Sequence, residues 1–336
     1  MTPMTSQLLA AALDLPQAYT QIQTVLPTLR QVTKATLVRY KPGRRALIEY
    51  HLDTATGPLV LLGKLRVKGL DLTSYQLQQA LWHQGFAADS PDGYSIPEPL
   101  GVIPHWHMWL QRKVPGVPAT QLLPTPAGVP LACRIAALAD KLHQIPISTA
   151  KTHTLADELR ILHERLPLVA QQQPQWQARL THILKTCDLL TQSRPAGLLA
   201  APLPPTLIHR DFYADQVLVE GDRLWLVDLD LCCQGDPALD IGNFIAHITE
   251  QSLRQLADPA AMVAQEAALR DAFIETRAGE QADRLRWTIE LYTVLTLVRH
   301  IHISTRIAAR RPYTEALLTL CETRLQSQSP EPLRLR

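Results

Sequence analysis

The pattern of apolar residues changes near residue 114, and this change limits the folds that the chain can adopt. Before it, three segments rich in β-branched residues, leucine and tyrosine (35–40, 46–52 and 59–67) are separated by the turn sequences KPGRR and DTATGP. After it, amphipathic helical patterns predominate as far as residue 323. The sequence therefore predicts an α+β protein with a small antiparallel sheet and a larger, mainly helical part.

The boundary between these two parts is marked by proline. One helix is predicted over residues 71–84, where leucine and tyrosine recur at roughly helical spacing. The proline-rich stretch 114–130 is typical of a junction between domains. We therefore expect an N-terminal domain at residues 1–113, with the sheet and one helix, and a C-terminal domain at residues 114–336.

The composition argues against several classes of protein. The 336 residues contain 33 Lys and Arg against 31 Asp and Glu, a net charge of +2, which gives no basic field for nucleic acid or a membrane surface. The five cysteines include no CxxC pair, so neither a disulfide framework nor a thiolate zinc site is expected. The N-terminus has no basic region before its apolar stretch, and the apolar run 196–208 is short and broken by prolines. We expect a cytoplasmic protein.

A short hairpin is predicted within the helical part. The segments 217–220 and 223–227 are joined by the two-residue turn Gly221-Asp222, so an ordinary register brings Gln216 and Asp228 to the same end. Opposed residues in a hairpin have Cβ atoms about 5 Å apart. With Asp211 five residues upstream, hard oxygen ligands gather there, and such ligands suit Mg²⁺ or Mn²⁺ that carries a phosphate.

The residues around this hairpin also resemble a known motif. His209-Arg210-Asp211 followed by Gln216 resembles the kinase catalytic loop HxDxxxxN, and Asp228 stands where kinases have the DFG aspartate. More closely, the segments 208–219 and 226–244 resemble the aminoglycoside phosphotransferase and choline kinase family, which has GDPxxD after the metal aspartate. The sequences ADKLHQIP and MWLQRKVPG resemble a helix end and the interlobe hinge of that family. The resemblance implies a bilobal protein-kinase-like fold.

The resemblance also implies roles for individual residues. Asp211 would orient the acceptor hydroxyl and accept its proton, Gln216 and Asp228 would hold Mg²⁺, and Lys64 would contact the α- and β-phosphates of ATP. Such a set is sufficient because phosphoryl transfer needs positioning and charge neutralisation rather than a covalent catalyst. Taken alone, Lys64 is better explained as a solvated surface lysine, and only the downstream motif favours the phosphate role.

Two further segments would complete the nucleotide site. The KPGRR turn would lie over the phosphates, with Gly43 allowing a tight turn and Lys41, Arg44 or Arg45 supplying charge, although a basic turn is also ordinary surface. By resemblance, the hinge at residues 111–114 would offer backbone N–H and C=O groups to adenine. The residues expected to bind the nucleotide are Lys64, Lys41, Gly43, Arg44, Gln111 and Lys113.

Four residues near the motif receive supporting roles. Asp236 is expected to cap a helix, and Asp240 to hold the catalytic loop by hydrogen bonds. His209 is expected to brace the loop, with a general-base role as the alternative. Asp230 is either an additional metal or water ligand or a solvated or capping residue.

Two departures from the family pattern leave a second function open. Gln216 replaces the usual Asn at the metal site, where Mg²⁺ demands near-octahedral geometry. Residues 50–97 contain no Glu, so the usual helix partner of the strand lysine is missing, and Asp71, Gln76 or Gln79 would have to substitute. A catalytically weak or inactive nucleotide-binding pseudokinase or scaffold is therefore the alternative.

The sequence favours an ATP- and Mg²⁺-dependent phosphotransferase that phosphorylates a hydroxyl of a small molecule. A sugar, an amino sugar such as an aminoglycoside, or an amino alcohol would all be suitable acceptors. A protein kinase is disfavoured, because GDPALD stands where activation-loop sequence should follow Asp228. The sequence does not predict an oligomeric state.

Overall fold

The computed structural model describes residues 3–192, 204–277 and 282–328. The chain forms two compact units, which are unit 1 (Met1–Gly116 with Leu218–Asp230) and unit 2 (Val117–Val217 with Leu231–Arg336). Residues 196–203 of the proline-broken apolar run lie outside the described residues. The division of the chain at residue 114 into two domains stays a prediction.

The described chain contains twelve strands and eleven α-helices. The strands are β1 (Leu29–Lys41), β2 (Arg45–Thr54), β3 (Gly57–Arg66), β4 (Tyr94–Ser95), β5 (Pro99–Ile103), β6 (Met108–Arg112), β7 (Val117–Pro118), β8 (Thr152–His153), β9 (Thr206–Ile208), β10 (Val217–Glu220), β11 (Arg223–Leu226) and β12 (Cys233–Gly235). The helices are α1 (Pro3–Leu13), α2 (Leu15–Gln23), α3 (Leu72–Leu81), α4 (Ala119–Leu122), α5 (Gly128–Gln144), α6 (Leu155–Gln172), α7 (Gln177–Gln192), α8 (Ala238–Leu256), α9 (Val263–Arg277), α10 (Ala282–Arg306) and α11 (Thr314–Gln328).

Unit 1 is organised by a five-stranded sheet in the order β1-β2-β3-β6-β5. Its neighbouring strands pair in the antiparallel sense, as in Lys64 opposite Leu47 on one side and Trp109 on the other. Because side chains alternate along a strand, Leu61 and Leu65 face the apolar core while Lys64 lies on the opposite face. The α+β fold class, with an antiparallel sheet and a larger helical part, is confirmed.

Two helices of unit 1 were not predicted from the sequence. Asp14 accepts a hydrogen bond from the Gln17 N–H at 3.1 Å and Pro16 stands in the first turn, which together begin α2. Ala12 and Ile22 are buried in the apolar core, and the Tyr50 hydroxyl donates to the Ala12 carbonyl at 2.8 Å. Helices α1 and α2 thus complete the core on the face of the sheet that lies away from Lys64.

The small sheets carry the segments that contain the kinase-like motif. In unit 1, β4 pairs in parallel with β11, and β10 is the next strand of that sheet. The turn between β10 and β11 is at Gly221-Asp222, as predicted. In unit 2, β12 lies between β8 and β9, parallel to the first and antiparallel to the second. Strand β9 ends at Ile208, so the loop with the kinase-like motif follows directly from a strand of this sheet.

Helices α8 and α10 approach each other closely in unit 2. A Cβ atom added to Gly242 would lie 2.6 Å from the Tyr292 Cβ and 2.7 Å from the Ile289 carbonyl oxygen. Both of those atoms belong to α10, and neither is the end of a flexible side chain. Glycine is therefore required at position 242 by space rather than by backbone conformation.

We expect Gly242→Ala to destabilise the protein by about 1–3 kcal/mol, because the added methyl group forces two packed helices apart. The free energy of unfolding in urea measures this change. Gln171→Ala, at an exposed position of α6, is the control and should change that free energy by less than about 0.5 kcal/mol. Equal stability of the Gly242 variant and the control would contradict the close packing.

Candidate active site

Unit 1 contains a pocket of about 260 Å³ on the Lys64 face of the sheet. One part of its wall is apolar and includes Leu47, Leu62 and Val227. The other part is charged, and its residues are Arg39, Arg45, Lys64, Arg66, Lys113, Asp228 and Asp230. Five cations therefore face two carboxylates, and the pocket has a positive excess beside an apolar slot.

A single carboxylate holds three of these cations. Asp230 accepts hydrogen bonds from Lys64 Nζ at 3.0 Å, from Arg66 Nη2 at 2.5 Å and from Arg45 Nη1 at 3.3 Å. Its side chain is only 8% exposed. Burial by itself raises the pKa of Asp230, but the charges of Lys64, Arg66 and Arg45 outweigh it and hold the pKa below its ordinary value. Asp230 is therefore a buried anion at the centre of a cation cluster.

This cluster corrects the expected partner of Lys64. Of the substitutes considered from the sequence, Asp71 caps α3 by accepting the Ser74 N–H at 3.1 Å, and it lies 3.4 Å from Arg66 rather than beside Lys64. Gln76 and Gln79 form no ion pair, because an amide carries no charge. Asp230 was expected to be a metal ligand or a solvated residue, and instead it binds Lys64.

A second contact orients Lys64. Its ammonium lies 4.5 Å from the ring centroid of Trp109, directly across the strand pair, and Tyr75 of α3 meets the same ring edge-on at 5.9 Å between centroids. A cation above an aromatic face is attracted by the electron-rich ring. Lys64 is thus held between an indole and a carboxylate within one unit.

The turn between β1 and β2 is strongly basic. Gly43 has a φ of 68°, a backbone conformation that glycine adopts at little cost. The positive charge of Arg45, followed by burial and by Arg39 and Arg44, lowers the pKa of Lys41. Arg45 lines the pocket, whereas Arg44 is exposed and neither Arg44 nor Lys41 is a lining residue. The structure thus places Arg45, more than the predicted Lys41 and Arg44, next to Lys64.

The predicted hinge residues Gln111, Lys113 and Val114 are all lining residues of the pocket. Gln111 is 4% exposed, and its Oε1 accepts a hydrogen bond from Gln78 Nε2, which also donates to the Pro97 carbonyl. Lys113 lines the pocket, but its ammonium pairs with Glu49 at 2.7 Å. The Val114 N–H forms no hydrogen bond with any described residue. The Val114 N–H is therefore a backbone donor available to a ligand in the pocket.

The loop of unit 2 that contains His209, Arg210 and Asp211 is held by one buried carboxylate. Asp240 accepts the backbone N–H groups of His209 and Arg210, each at 2.7 Å, and contacts His143 Nε2 at 2.8 Å. A carboxylate can only accept, so His143 donates through Nε2. Asp240 thus has the supporting role that the sequence predicted. Asp236 accepts the Ala238 N–H at 2.9 Å, as expected for a residue at the start of α8.

Side chains of α8 and α10 form a second set of contacts that supports the same loop. Asn243 Nδ2 donates to the carbonyl of Phe212 at 3.1 Å, and Arg299 Nη2 donates to Asn243 Oδ1 at 2.6 Å. Glu158 binds both Arg299, at 3.1 Å, and His153, at 2.7 Å. Burial opposes ionisation of Glu158, yet its pKa is lowered because the His153 hydrogen bond and the Arg299 charge prevail. The residue after Asp211 is therefore fixed through its backbone.

The side chains of the motif residues Asp211, Gln216 and Asp228 form no hydrogen bonds within the described part of the chain. Asp211 lies in the loop after β9, half-buried, and Gln216 lies in a single 3₁₀ turn with 7% exposure. Neither the carboxylates of Asp211 and Asp228 nor the amide of Gln216 forms a hydrogen bond with a described residue. The oxygens of these three side chains therefore keep the capacity to accept hydrogen bonds from, or to coordinate, a ligand.

The backbone is unusual at two motif positions. Arg210 has a φ of 69° and Asp228 a φ of 58°, and the only other non-glycine residues with positive φ in the described segments are His107 and Ala257. A non-glycine residue in this region costs of order 1 kcal/mol or more and tends to occur at functional sites. Both motif loops therefore hold conformations that their surroundings impose.

Asp230, Asn243 and Arg299 were not predicted to have these contacts. Asp230 carried a signal, because it repeats an acid two residues after Asp228 in a chain with no Glu on the preceding helix. Asn243 stands three residues after Asp240, so both lie on one helical face. Arg299 carried no signal, because its partners are 56 and 141 residues away in sequence.

The fold is the one found in phosphotransferases of protein-kinase-like architecture. A family model described as "Phosphotransferase enzyme family" matches residues 74–288, and the chain belongs to this family. It is a small-molecule kinase. A comparison with curated protein sequences finds no match.

Solved structures share the fold at low sequence identity. A spectinomycin phosphotransferase in complex with ADP and spectinomycin is 10% identical, with a TM-score of 0.60 over 94% of this chain and 99% of that chain. A choline/ethanolamine kinase family protein from Mesorhizobium loti is 16% identical, with a TM-score of 0.59 over 98% and 96%. An amicoumacin kinase in complex with AMP-PNP and Ca²⁺ is 12% identical, with a TM-score of 0.55 over 90% and 93%.

No group of three or more His, Cys, Asp or Glu residues is arranged to hold a metal ion within the described ranges. Among the helices of that part of the chain, none combines the length and apolarity needed to cross a bilayer.

We expect Asp240→Asn to lower the free energy of unfolding by about 2–4 kcal/mol, because an amide N–H₂ would face backbone N–H donors in a buried site. Chemical denaturation measures this loss. Asp258→Asn makes the same change at an exposed turn, where the carboxylate accepts only the Ala260 N–H, and is the matched control. A loss no larger than that of the control would show that Asp240 does not hold the loop.

Proposed function

We propose that the protein transfers a phosphoryl group from ATP to a hydroxyl of a small molecule. The observation that carries this proposal is the pocket of unit 1, in which an apolar slot adjoins an excess of positive charge. A nucleoside triphosphate has the same two parts, a flat base of low polarity and a polyanionic tail. Within unit 1, the apolar residues of the pocket therefore suit the base and the cations suit the phosphates.

The orientation of the nucleotide follows from the distribution of charge. The phosphates would contact Lys64, Arg45 and Arg66, with Lys41, Gly43 and Arg44 of the preceding turn close to the tail. The base would lie toward Gln111 and Lys113, where the unpaired Val114 N–H can donate to a ring nitrogen. These assignments of site residues belong to the proposal.

Asp211 would act on the acceptor. Its carboxylate has no protein donor, so it is free to accept a hydrogen bond from the acceptor hydroxyl and then its proton as the new P–O bond forms. The contacts of Asp240 with the preceding N–H groups, and of Asn243 with the Phe212 carbonyl, hold Asp211 in place. Positioning of this kind is the main contribution that a protein makes to phosphoryl transfer.

The donors present fit Mg²⁺. Magnesium in kinases is bound by one or two protein oxygens together with phosphate oxygens and water, and Asp228 and Gln216 have unpaired oxygens of the required kind. When bound, the ion would neutralise charge on the phosphates. Asp228 is one of the lining residues of the pocket in which the phosphates would lie.

The acceptor class is the least defined part of the proposal. The related structures include a spectinomycin phosphotransferase and a choline/ethanolamine kinase family protein, so a sugar, an amino sugar and an amino alcohol all remain suitable. The five free cysteines are compatible with the reducing cytoplasm, where ATP is abundant, and we propose that location. The two-domain division at residue 114 is part of the same proposal.

A silent nucleotide-binding protein is the second candidate, and Gln216 is the observation that favours it. The longer amide replaces the family's Asn at a position where Mg²⁺ tolerates little displacement. The absence of Glu from residues 50–97 no longer favours this candidate, because Asp230 supplies the acidic partner that α3 lacks. Turnover in the unaltered protein separates the two candidates.

Asp211→Asn is expected to reduce phosphoryl transfer by about 10²–10⁴-fold while the Kd for ATP changes by no more than about twofold. The assay uses labelled ATP with a panel of hydroxylated metabolites and detects the phosphorylated product by mass. Asp215→Asn is the control, because Asp215 is exposed and bonds Thr120. If the Asp211 variant turns over as fast as the unaltered protein, Asp211 does not have the proposed role. If neither the unaltered protein nor the Asp211 variant turns over, the silent candidate is favoured.

Saturating ATP with Mg²⁺ is expected to raise the Tm by a few degrees, since ligand at 100 times its Kd stabilises by about 2.7 kcal/mol. Lys64→Met should lose most of this shift because a phosphate contact is removed. Lys34→Met, at an exposed position of β1, should retain it. A shift that is the same in all three proteins would place the nucleotide elsewhere.

A further inference from the structure

Lysine needs a fixed partner if it is to present its charge at one place. Its four-carbon stem is flexible, and its ammonium is a compact point charge. In this chain α3 lies on the Lys64 face of the sheet, where Tyr75 contacts Trp109 of β6 and Gln78 bonds Gln111 of β6. These contacts are aromatic and amide contacts, so the helix offers no anion to Lys64.

Asp230 occupies the place of that missing anion. It lies 166 residues from Lys64 in sequence, yet its Oδ1 accepts from Lys64 Nζ while its Oδ2 accepts from Arg66 and Arg45. Both carboxylate oxygens are therefore engaged by protein cations. A metal ion would have to displace these three cations before it could bind Asp230, which argues against a role as a second metal ligand.

The partner of Lys64 is also close in sequence to the proposed metal residue. Only Leu229 separates Asp228 from Asp230, and its side chain is 2% exposed in the core. Asp228 lines the pocket with no protein donor, while Asp230 is fully engaged. One three-residue segment, anchored by Leu229, therefore carries both carboxylates. Asp228 is available to a ligand, whereas Asp230 pairs with protein cations.

We propose that Asp230 is a positioning residue that holds Lys64 for the phosphates, in place of an acid on α3, and couples the position of Lys64 to that of Asp228. The proposal deepens the function proposed above and rests on it, since it takes Lys64 as a phosphate contact. Asp230 acts through Lys64 and touches neither substrate nor metal.

The kinetic test compares Asp230→Asn with the unaltered full-length protein. The kcat should fall at least tenfold while the KM for ATP stays equal or decreases, because the change removes orientation of Lys64 but also removes a negative charge beside a polyanion. The Mg²⁺ concentration for half-maximal rate should be unchanged. An increase of fivefold or more in that concentration, with kcat restored at high Mg²⁺, would make Asp230 a metal ligand and overturn the proposal.

A double-mutant cycle tests whether Asp230 acts through Lys64. In the Lys64→Met background, Asp230→Asn should cost no more than about a further twofold in kcat, because the interaction is already lost. Multiplicative losses in the double variant would contradict the proposal. Asp230→Glu keeps the charge and is the second variant should the Asn form fail to fold, with kcat expected between those of the unaltered protein and Lys64→Met.

A third measurement needs no nucleotide. The rate at which an acetylating ester modifies Lys64, followed by peptide mass spectrometry, should rise at least threefold in Asp230→Asn or Asp230→Glu, with Lys34 as the internal control. Unchanged labelling of Lys64 would overturn the proposal. Absence of nucleotide binding by the unaltered protein would instead overturn the proposed function, and the labelling result would distinguish that failure from a failure of the Asp230 assignment.

Discussion

The conformation of the catalytic loop depends on the buried carboxylate of Asp240. An isolated charge in the interior costs several kcal/mol, so it persists only where donors surround it. Here two successive backbone N–H groups and the His143 ring supply those donors. Because Arg210 adopts a left-handed backbone, both N–H groups can turn toward one acceptor. This arrangement therefore sets the direction in which the Asp211 side chain projects from the loop.

The start of α8 serves several parts of unit 2 at once. Asp240 and Asn243 are three residues apart and share one face of the helix, from which they reach the backbone on either side of Asp211. Gly242 lies against α10 and allows the two helices to approach. Arg299 of α10 then reaches Asn243 and Glu158. The short sequence ALDIGN thus links the loop to the helical core.

Features encoded locally could be predicted from the sequence. Strands β1, β2 and β3, the turn at Gly221-Asp222 and helices α5 to α7 each have a periodicity or a turn signal within the segment itself. The supporting role of Asp240 could be predicted because it lies within a recognisable motif. Helices α1 and α2 were missed although Asp14 and Pro16 mark the start of α2, since their apolar stretch was considered only as a targeting signal.

The partner of Lys64 depends on long-range geometry, and the sequence pattern alone did not reveal it. The antiparallel register of β2 and β3 sets Arg45 opposite Arg66, and Asp230 then reaches both arginines and Lys64. Residue spacing cannot show this, because the contacts join positions 164 to 185 residues apart. The sequence instead suggested Asp71, Gln76 or Gln79 of the nearest helix, but Asp71 caps that helix and the two glutamines are exposed.

The burial of Leu229 between two aspartates has a consequence for how the segment can move. A slip of one position along the chain would bring a leucine among three cations and push a carboxylate into the apolar core, and an unpaired charge there is strongly unfavourable. Small displacements of this segment are therefore penalised in both directions. Any opening of the site must carry all three residues together as a rigid piece or leave them where they are.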